Sequence, residues 1–292
     1  MTYVLPEMRL RFAPPTVCSL LLTSLLAATP AEDRPQPTDF IRVDEDQSAA
    51  RLQTAITRYD KGPVTVDLLG AVHIADRSYY DRLNKAFEHY EVVLFELIGG
   101  ERLVDGKFPA DTSLNDPEIR SLHELMARMA AFLQLTRQLE VIDYSKTNFI
   151  HADLTLEEFE ERQRQNDESI FGFALAATQN AQNKGLATPN LARMLAALLS
   201  GNSNALKLEM MSQLGSGDDQ IAALAGENVI ISDRNRKCLD ALNQQIASGK
   251  KRIAVFYGAA HFPDFENRLL EEGFARSGQR WLTAWNVPKP ES

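Results

Sequence analysis

Two segments of this 292-residue chain line up more closely than secondary-structure periodicity requires. Leu68-Leu69-Gly70-Ala71-Val72-His73-Ile74-Ala75-Asp76 matches Phe256-Tyr257-Gly258-Ala259-Ala260-His261-Phe262-Pro263-Asp264. Each is an apolar strand ending in Gly-Ala-x-His, followed by an acidic residue three positions on and then a helical pattern. Repeated strand–turn–helix units belong to α/β folds, in which ligands bind in the crevice beyond the strand C-termini. One Gly-x-x-His is an ordinary turn. Two in matching context place two of only five histidines at equivalent strand ends.

The rest of the chain can be read around these anchors. Strands are predicted at 40–43, 52–59 and 64–70, the last two separated by the turn Asp60-Lys61-Gly62-Pro63, although Leu52, Ala55, Ile56 and Tyr59 also fit a short helix. Asp76 is placed to N-cap a helix whose apolar face is Tyr79, Tyr80, Leu83, Phe87 and Tyr90. The run from Val92 to Ile98 then reads as a strand buried on both faces of a parallel sheet. Residues 116–227, rich in Leu, Ala, Met, Gln and Glu, predict an all-helical insert. Its helices are clearest at 120–139, 156–165, 170–184 and 191–199, with polar loops at 201–204 and 216–219. A helix at 234–246, a strand at 252–257, a helix at 265–274 and a strand at 280–285 complete the pattern. The expected architecture is α/β: a mixed, largely parallel central sheet made of two related βαβ-like halves, with the insert between them. Residues 40–292 would form one domain.

Arg9 and Arg11 precede the apolar run from Val17 to Ala28. That run is shorter than the ~20 residues a bilayer span needs, but it suits a signal peptide ending at Ala31. Residues 32–39 follow as a polar leader. Export to a periplasmic or extracellular space is therefore expected, with no membrane span after cleavage. The formal net charge of −9 argues against nucleic acid as a partner, since phosphates demand a basic stripe. Two cysteines, Cys18 and Cys238, cannot form a Cys-rich zinc module. The chain has no Walker loop, no Gly-x-Gly-x-x-Gly and no His-Glu-x-x-His.

Glu96 is the conspicuous residue of the 92–98 run. A lone carboxylate in a buried apolar strand is costly unless it is paired or coordinates a metal. His73, Glu96 and His261 are thus expected to converge on one sheet edge, as His and carboxylate ligands of a catalytic divalent-metal site with an open position. His151, in His151-Ala152-Asp153, is a further candidate ligand, though it could as easily begin the helix at Leu156. Asp76 and Asp264 read as helix caps, His89 as solvated and His123 as an ordinary helical residue.

The two Gly-Ala-x-His segments, Glu96 between them and Asp233-Arg234-Asn235 before the second resemble the TraB/GumN/Tiki family, which belongs with the erythromycin-esterase-like and ChaN-like proteins. The resemblance covers roughly residues 64–98 and 228–285. It implies a metal-dependent hydrolase, some members of the family being regarded as peptidases, acting on a peptide or small-molecule substrate. Carried over, His73, Glu96 and His261 would be metal-site or catalytic residues, with Glu96 either ligand or general base. Arg234 and Asn235 would match the family's Arg-Asn pair and hold substrate or a developing oxyanion. Asp233 departs from the usual Glu, and no C-terminal membrane helices follow. The ChaN-like relatives imply an alternative: haem or iron binding without turnover, with Tyr79, Tyr80 or Tyr257 facing an apolar pocket.

Overall fold

The computed structural model describes residues 38–108, 117–166, 179, 183, 190–214 and 229–289, all within one compact unit, Pro37–Ser292. The signal segment with Cys18, the helix expected at 170–184 except for residues 179 and 183, and the loop at 216–219 lie outside the described residues.

β1 (Ile41–Glu45), β2 (Ala49–Lys61) and β3 (Val64–Ala71) form an antiparallel meander, followed by β4 (Ile74–Ala75), α1 (Arg77–Phe87) and β5 (Val92–Phe95). Next come α2 (Pro117–Leu133), β6 (Thr136–Arg137), α3 (Gln138–Val141), β7 (Phe149–His151) and α4 (Leu156–Asn166). Then follow α5 (Leu191–Leu199), α6 (Ser203–Leu214), α7 (Val229–Ala247), β8 (Arg252–Gly258), α8 (Phe262–Glu271) and β9 (Ala275–Pro288).

One mixed sheet dominates. Its order is β1-β2-β3-β8-β5-β7, with β9 antiparallel to β2; β3, β8, β5 and β7 are parallel. Residues 253–257 of β8 are all buried, as expected for a strand with both faces covered. Successive side chains on a strand point to opposite faces. Phe256 meets Phe87 of α1 edge-on at 4.9 Å, whereas Tyr257 meets Phe265 of α8 at 5.3 Å, so the two helices cover opposite faces. Full burial of a ring such as Phe87 is worth roughly 1.5–3 kcal/mol. No helix among the described residues is long and apolar enough to cross a membrane.

Several local expectations need correction. The insert is not purely helical. The helix expected to reach 139 stops at Leu133, Gln134 turns with φ 54°, and β6 then pairs antiparallel with β4 through Ile74–Arg137 and Ala75–Thr136. Phe149-Ile150-His151 is also extended and joins the main sheet beside β5. Residues 203–204 open α6 rather than continuing a loop, because Asn202 Oδ1 accepts from Ala205 N at 2.9 Å and caps that turn. The helix placed at 265–274 begins at Phe262, with Pro263 in its first turn.

Asp76 stands at the N-cap of α1 but makes no side-chain cap bond. Its Oδ2 instead accepts from Asn286 N of β9 at 2.9 Å. Asp264 lies inside the first turn of α8 and accepts from Arg268 and Asn235 rather than capping the helix.

Candidate functional site

The parallel strands bring their C-terminal ends to one edge. β3 and β8 are in register there, with Gly70 opposite Tyr257 and Ala71 opposite Gly258. Glu96 immediately follows β5, and its N–H donates to Phe256 O at 3.1 Å. That bond carries its carboxylate across to β8, where Oε2 accepts from Gly258 N at 2.6 Å. A Cβ on Gly258 would sit 3.3 Å from this oxygen, so the glycine permits the approach.

Arg234 closes the other side. It lies beyond the first turn of α7, only 12% exposed, and forms a forked pair with Asp153 (Nε to Oδ1 2.9 Å, Nη2 to Oδ2 2.7 Å). Nη2 also donates to Glu96 Oε1 at 2.5 Å. Burial alone would push the Glu96 carboxyl pKa up, but the charge of Arg234, and after it His261, outweighs burial and holds it well below the usual carboxylate range. Burial likewise disfavours the Arg234 cation, but Asp153 and Glu96 more than compensate and push its pKa further up. Glu96 therefore stays ionised.

His261 sits behind this pair, buried, with Nε2 3.6 Å from Glu96 Oε1. Its Nδ1 is 2.6 Å from Asn235 Oδ1. The Asn235 amide nitrogen donates to Asp264 Oδ2 at 2.7 Å and to His261 O at 3.3 Å. Because a carboxylate can only accept, this fixes the amide with its oxygen toward the ring, so Nδ1 carries the proton and Nε2 faces Glu96. Asn235 is fully buried, and its side chain binds His261 and Asp264.

A cavity of about 250 Å³ opens in front of Glu96 and Arg234. Leu97 and Ile98 continue from Glu96 along one wall, His123 and Met126 of α2 form a second, and Arg137, Gln138 and Leu139 form a third. His73 faces the same cavity, exposed, its side chain without a hydrogen bond to the described residues. The Gln138 N–H donates to His73 O at 2.9 Å, and with the β4–β6 pairing this staples the third wall to the loop that carries His73.

The expected trio is thus brought to one edge but not into one contact cluster. Glu96 and His261 adjoin, while His73 lines the cavity and reaches Glu96 electrostatically without an ion pair or hydrogen bond to it. His151 is not at the cavity: its Nε2 is 2.8 Å from Leu97 O, and its ring packs where a Cβ on Gly100 would collide with it. Among the described residues no three His, Cys, Asp or Glu side chains are grouped to hold a metal ion. The arrangement does not fit a His/Glu/His centre, since both Glu96 oxygens accept protein hydrogen bonds and a guanidinium sits where the cation's charge would be. Nor do the tyrosines of the haem or iron alternative face the cavity. The hydroxyls of Tyr79, Tyr80 and Tyr257 donate to Gly70 O, Val72 O and Ala152 O.

Four residues of the site were passed over in the sequence. Asp153 was read only as part of a weak His-x-Asp pair, although a buried Arg234 requires a carboxylate partner. His123 was read as an ordinary helical residue, and Arg137 and Gln138 as the tail of a helix that in fact ends before them. Compared with protein families, curated proteins and solved structures, the chain matches none.

Proposed function

We propose that this chain is an exported hydrolase of peptidase type, splitting an acyl–nitrogen bond in the cavity between His73 and Arg234. One observation carries the reading: an imidazole whose side chain has no hydrogen-bond partner among the described residues and a buried Glu96–Arg234 ion pair share the walls of one small cavity at the C-terminal edge of parallel strands. The resemblance of the Gly-Ala-x-His segments to the TraB/GumN/Tiki family points the same way.

The chemistry follows from the positions. His73 takes a proton from water as the water oxygen attacks the substrate carbonyl carbon. The carbonyl oxygen gains negative charge, which the fixed guanidinium of Arg234 stabilises without reorganising, because Asp153 and Glu96 already hold it. His73 then returns the proton to the departing nitrogen as the C–N bond breaks, giving a carboxylic acid and an amine. Glu96, backed by His261 and Gly258 N, keeps Arg234 aimed. No step is routed through a metal, because the residues present do not fit one.

The test is a panel of dipeptides, N-acyl amino acids and aryl amides assayed with the full chain, His73→Asn and Glu96→Gln. The expected result is turnover of at least one member, falling about 10²–10⁴-fold in His73→Asn. Turnover of none, or an unchanged rate in both variants, overturns the reading. The divalent cation implied by the resemblance is tested in the same assay: a rate abolished by a chelator and restored by a divalent ion would replace His73 as base by a metal-bound water.

A further inference from the structure

The cavity has a second end that the chemistry above does not use. His123 of α2 and Arg137 of β6 both line it, each in electrostatic reach of the other, and His73 is also within electrostatic reach of His123. Arg137 pairs with Glu140 through Nε and Nη2, leaving Nη1 outside that pair, and the His123 side chain makes no hydrogen bond to the described residues. Beside them Gln138 is 6% exposed; its Nε2 donates to Tyr144 Oη at 2.8 Å, while its Oε1 is buried with no partner. A buried amide oxygen without a donor is left with its desolvation uncompensated. Gln138 lines this wall with its Oε1 closed to solvent, and a turn of the amide into the cavity would give that oxygen a ligand N–H. The remaining walls are apolar: Leu97, Ile98 and Met126.

We propose that this end of the cavity recognises the free α-carboxylate and the amide N–H of an apolar amino acid, so that the substrates are amides in which such an amino acid supplies the nitrogen: N-acyl amino acids and peptides with an apolar C-terminal residue. The inference rests on the hydrolase reading and names its substrate class. Arg137 and His123 receive the carboxylate, Gln138 Oε1 accepts the N–H, and the apolar walls take the side chain. Water adds its oxygen to the acyl carbon, the C–N bond breaks, and the nitrogen leaves with a proton as the free amino acid. The positive potential at this end has an independent trace. Burial, then the charges of Arg137 and His73, hold the His123 pKa below the ordinary imidazole range. An anion between these groups would relieve their mutual repulsion. The volume agrees: about 250 Å³ is below the ~300–1,000 Å³ usual for drug-sized ligands, and it suits one residue rather than an extended chain.

Calorimetric titration of the full chain with N-acetyl-L-leucine and with neutral N-acetyl-L-leucinamide tests this directly. The carboxylate should bind at least about tenfold more tightly, as a charge-assisted contact requires. In the double variant His123→Gln/Arg137→Gln, checked for an unchanged urea midpoint, that preference should fall below about threefold. The O-acetyl analogue, with an ester oxygen in place of N–H, should bind several-fold more weakly than N-acetyl-L-leucine, and Gln138→Leu should erase that gap. Equal binding of carboxylate and carboxamide, a preference that survives the double variant, or no binding of either overturns the proposal. The two readings fail separately. A carboxylate preference without any cleavage would leave the recognition site and remove the hydrolase; cleavage of acetyl-leucinamide as fast as acetyl-leucine would leave the hydrolase and remove the recognition site.

Discussion

The two Gly-Ala-x-His segments begin on adjacent parallel strands in register and end in opposite circumstances. After Gly258 the chain turns at once through a 3₁₀ turn, Ala259–His261, into α8, which buries His261 against Tyr257 and Asn235. After Gly70 it stays extended, because Ile74 and Ala75 find strand partners in Thr136 and Arg137. His73 is left exposed at the cavity. Pro263, which favours the first turn of a helix, has Ala75 as its counterpart. One motif thus yields a buried histidine that braces a carboxylate and an open one that can meet substrate. Similar sequence at a strand end sets the place of a histidine. What pairs with the next few residues sets its work.

The largest expected effect lies on the buried side of this comparison. Arg234→Met would leave Glu96 and Asp153 in the interior without their cation, and breaking a buried pair in this way costs about 3–5 kcal/mol. Urea unfolding should show it, with activity lost as well. The pH dependence of stability reads the same clamp. Glu96 has a folded pKa below its ordinary 4.5, so its contribution to stability is complete above about pH 4.5 and is lost as the pH falls toward the folded value. Glu96→Gln should therefore flatten the acid limb of the wild-type stability curve below pH 4.5 and leave its shape at pH 6–8 unchanged. An equally steep acid limb in the variant would mean that Arg234 is not holding the carboxylate.

Exchanging the histidines sharpens the contrast. His73→Ala should leave stability within about 0.5 kcal/mol of wild type, as for an exposed side chain, yet lower the rate about 10²–10⁴-fold. His261→Ala should cost about 1–3 kcal/mol, because the Asn235 oxygen loses its donor inside the core. Adding imidazole to the solution should restore part of the His73→Ala rate, since that cavity is open, and none of the His261→Ala stability. If the two variants behaved alike in unfolding, the division between a bracing and a reacting histidine would fail.

How far the sequence carried the argument differs between these regions. The strands that bear the motif, the burial of β8 and the placement of Glu96 follow from apolar runs, whose meaning depends only on burial. The pairing of Glu96 was also foreseeable, since a carboxylate in such a run needs a partner. Which partner it takes was not: Asp153 and Arg234 are far from Glu96 in sequence and meet it only through the packing of α7 against β5. The third wall was hidden for another reason. Leu125, Leu135 and Leu139 keep a helical look past Leu133, and the break at Gln134 comes from a positive φ that no glycine or proline announces. Tertiary pairing with β4 decided that segment against its own periodicity.

The smallest effect separates the two glycines. Neither has a positive φ, so each Ala substitution carries no backbone strain and gains about 0.4–1 kcal/mol from the stiffer unfolded chain. What differs is what the new methyl meets. At Gly70 it would lie 3.2 Å from the Ala55 carbonyl oxygen and 3.2 Å from Thr54 Cβ, in a sheet that cannot move aside. Overpacking of that kind costs about 1–3 kcal/mol, so Gly70→Ala should lower the urea midpoint with kcat nearly unchanged. At Gly258 the nearest atom is Glu96 Oε2 at 3.3 Å, the end of a side chain that can yield by a few tenths of an ångström. Gly258→Ala should therefore unfold close to wild type but loosen the Glu96–Arg234 clamp and slow turnover by about tenfold, or about 1.4 kcal/mol of barrier. The reverse pattern, a stability loss at Gly258 and a rate loss at Gly70, would place the reacting group on the wrong copy of the motif.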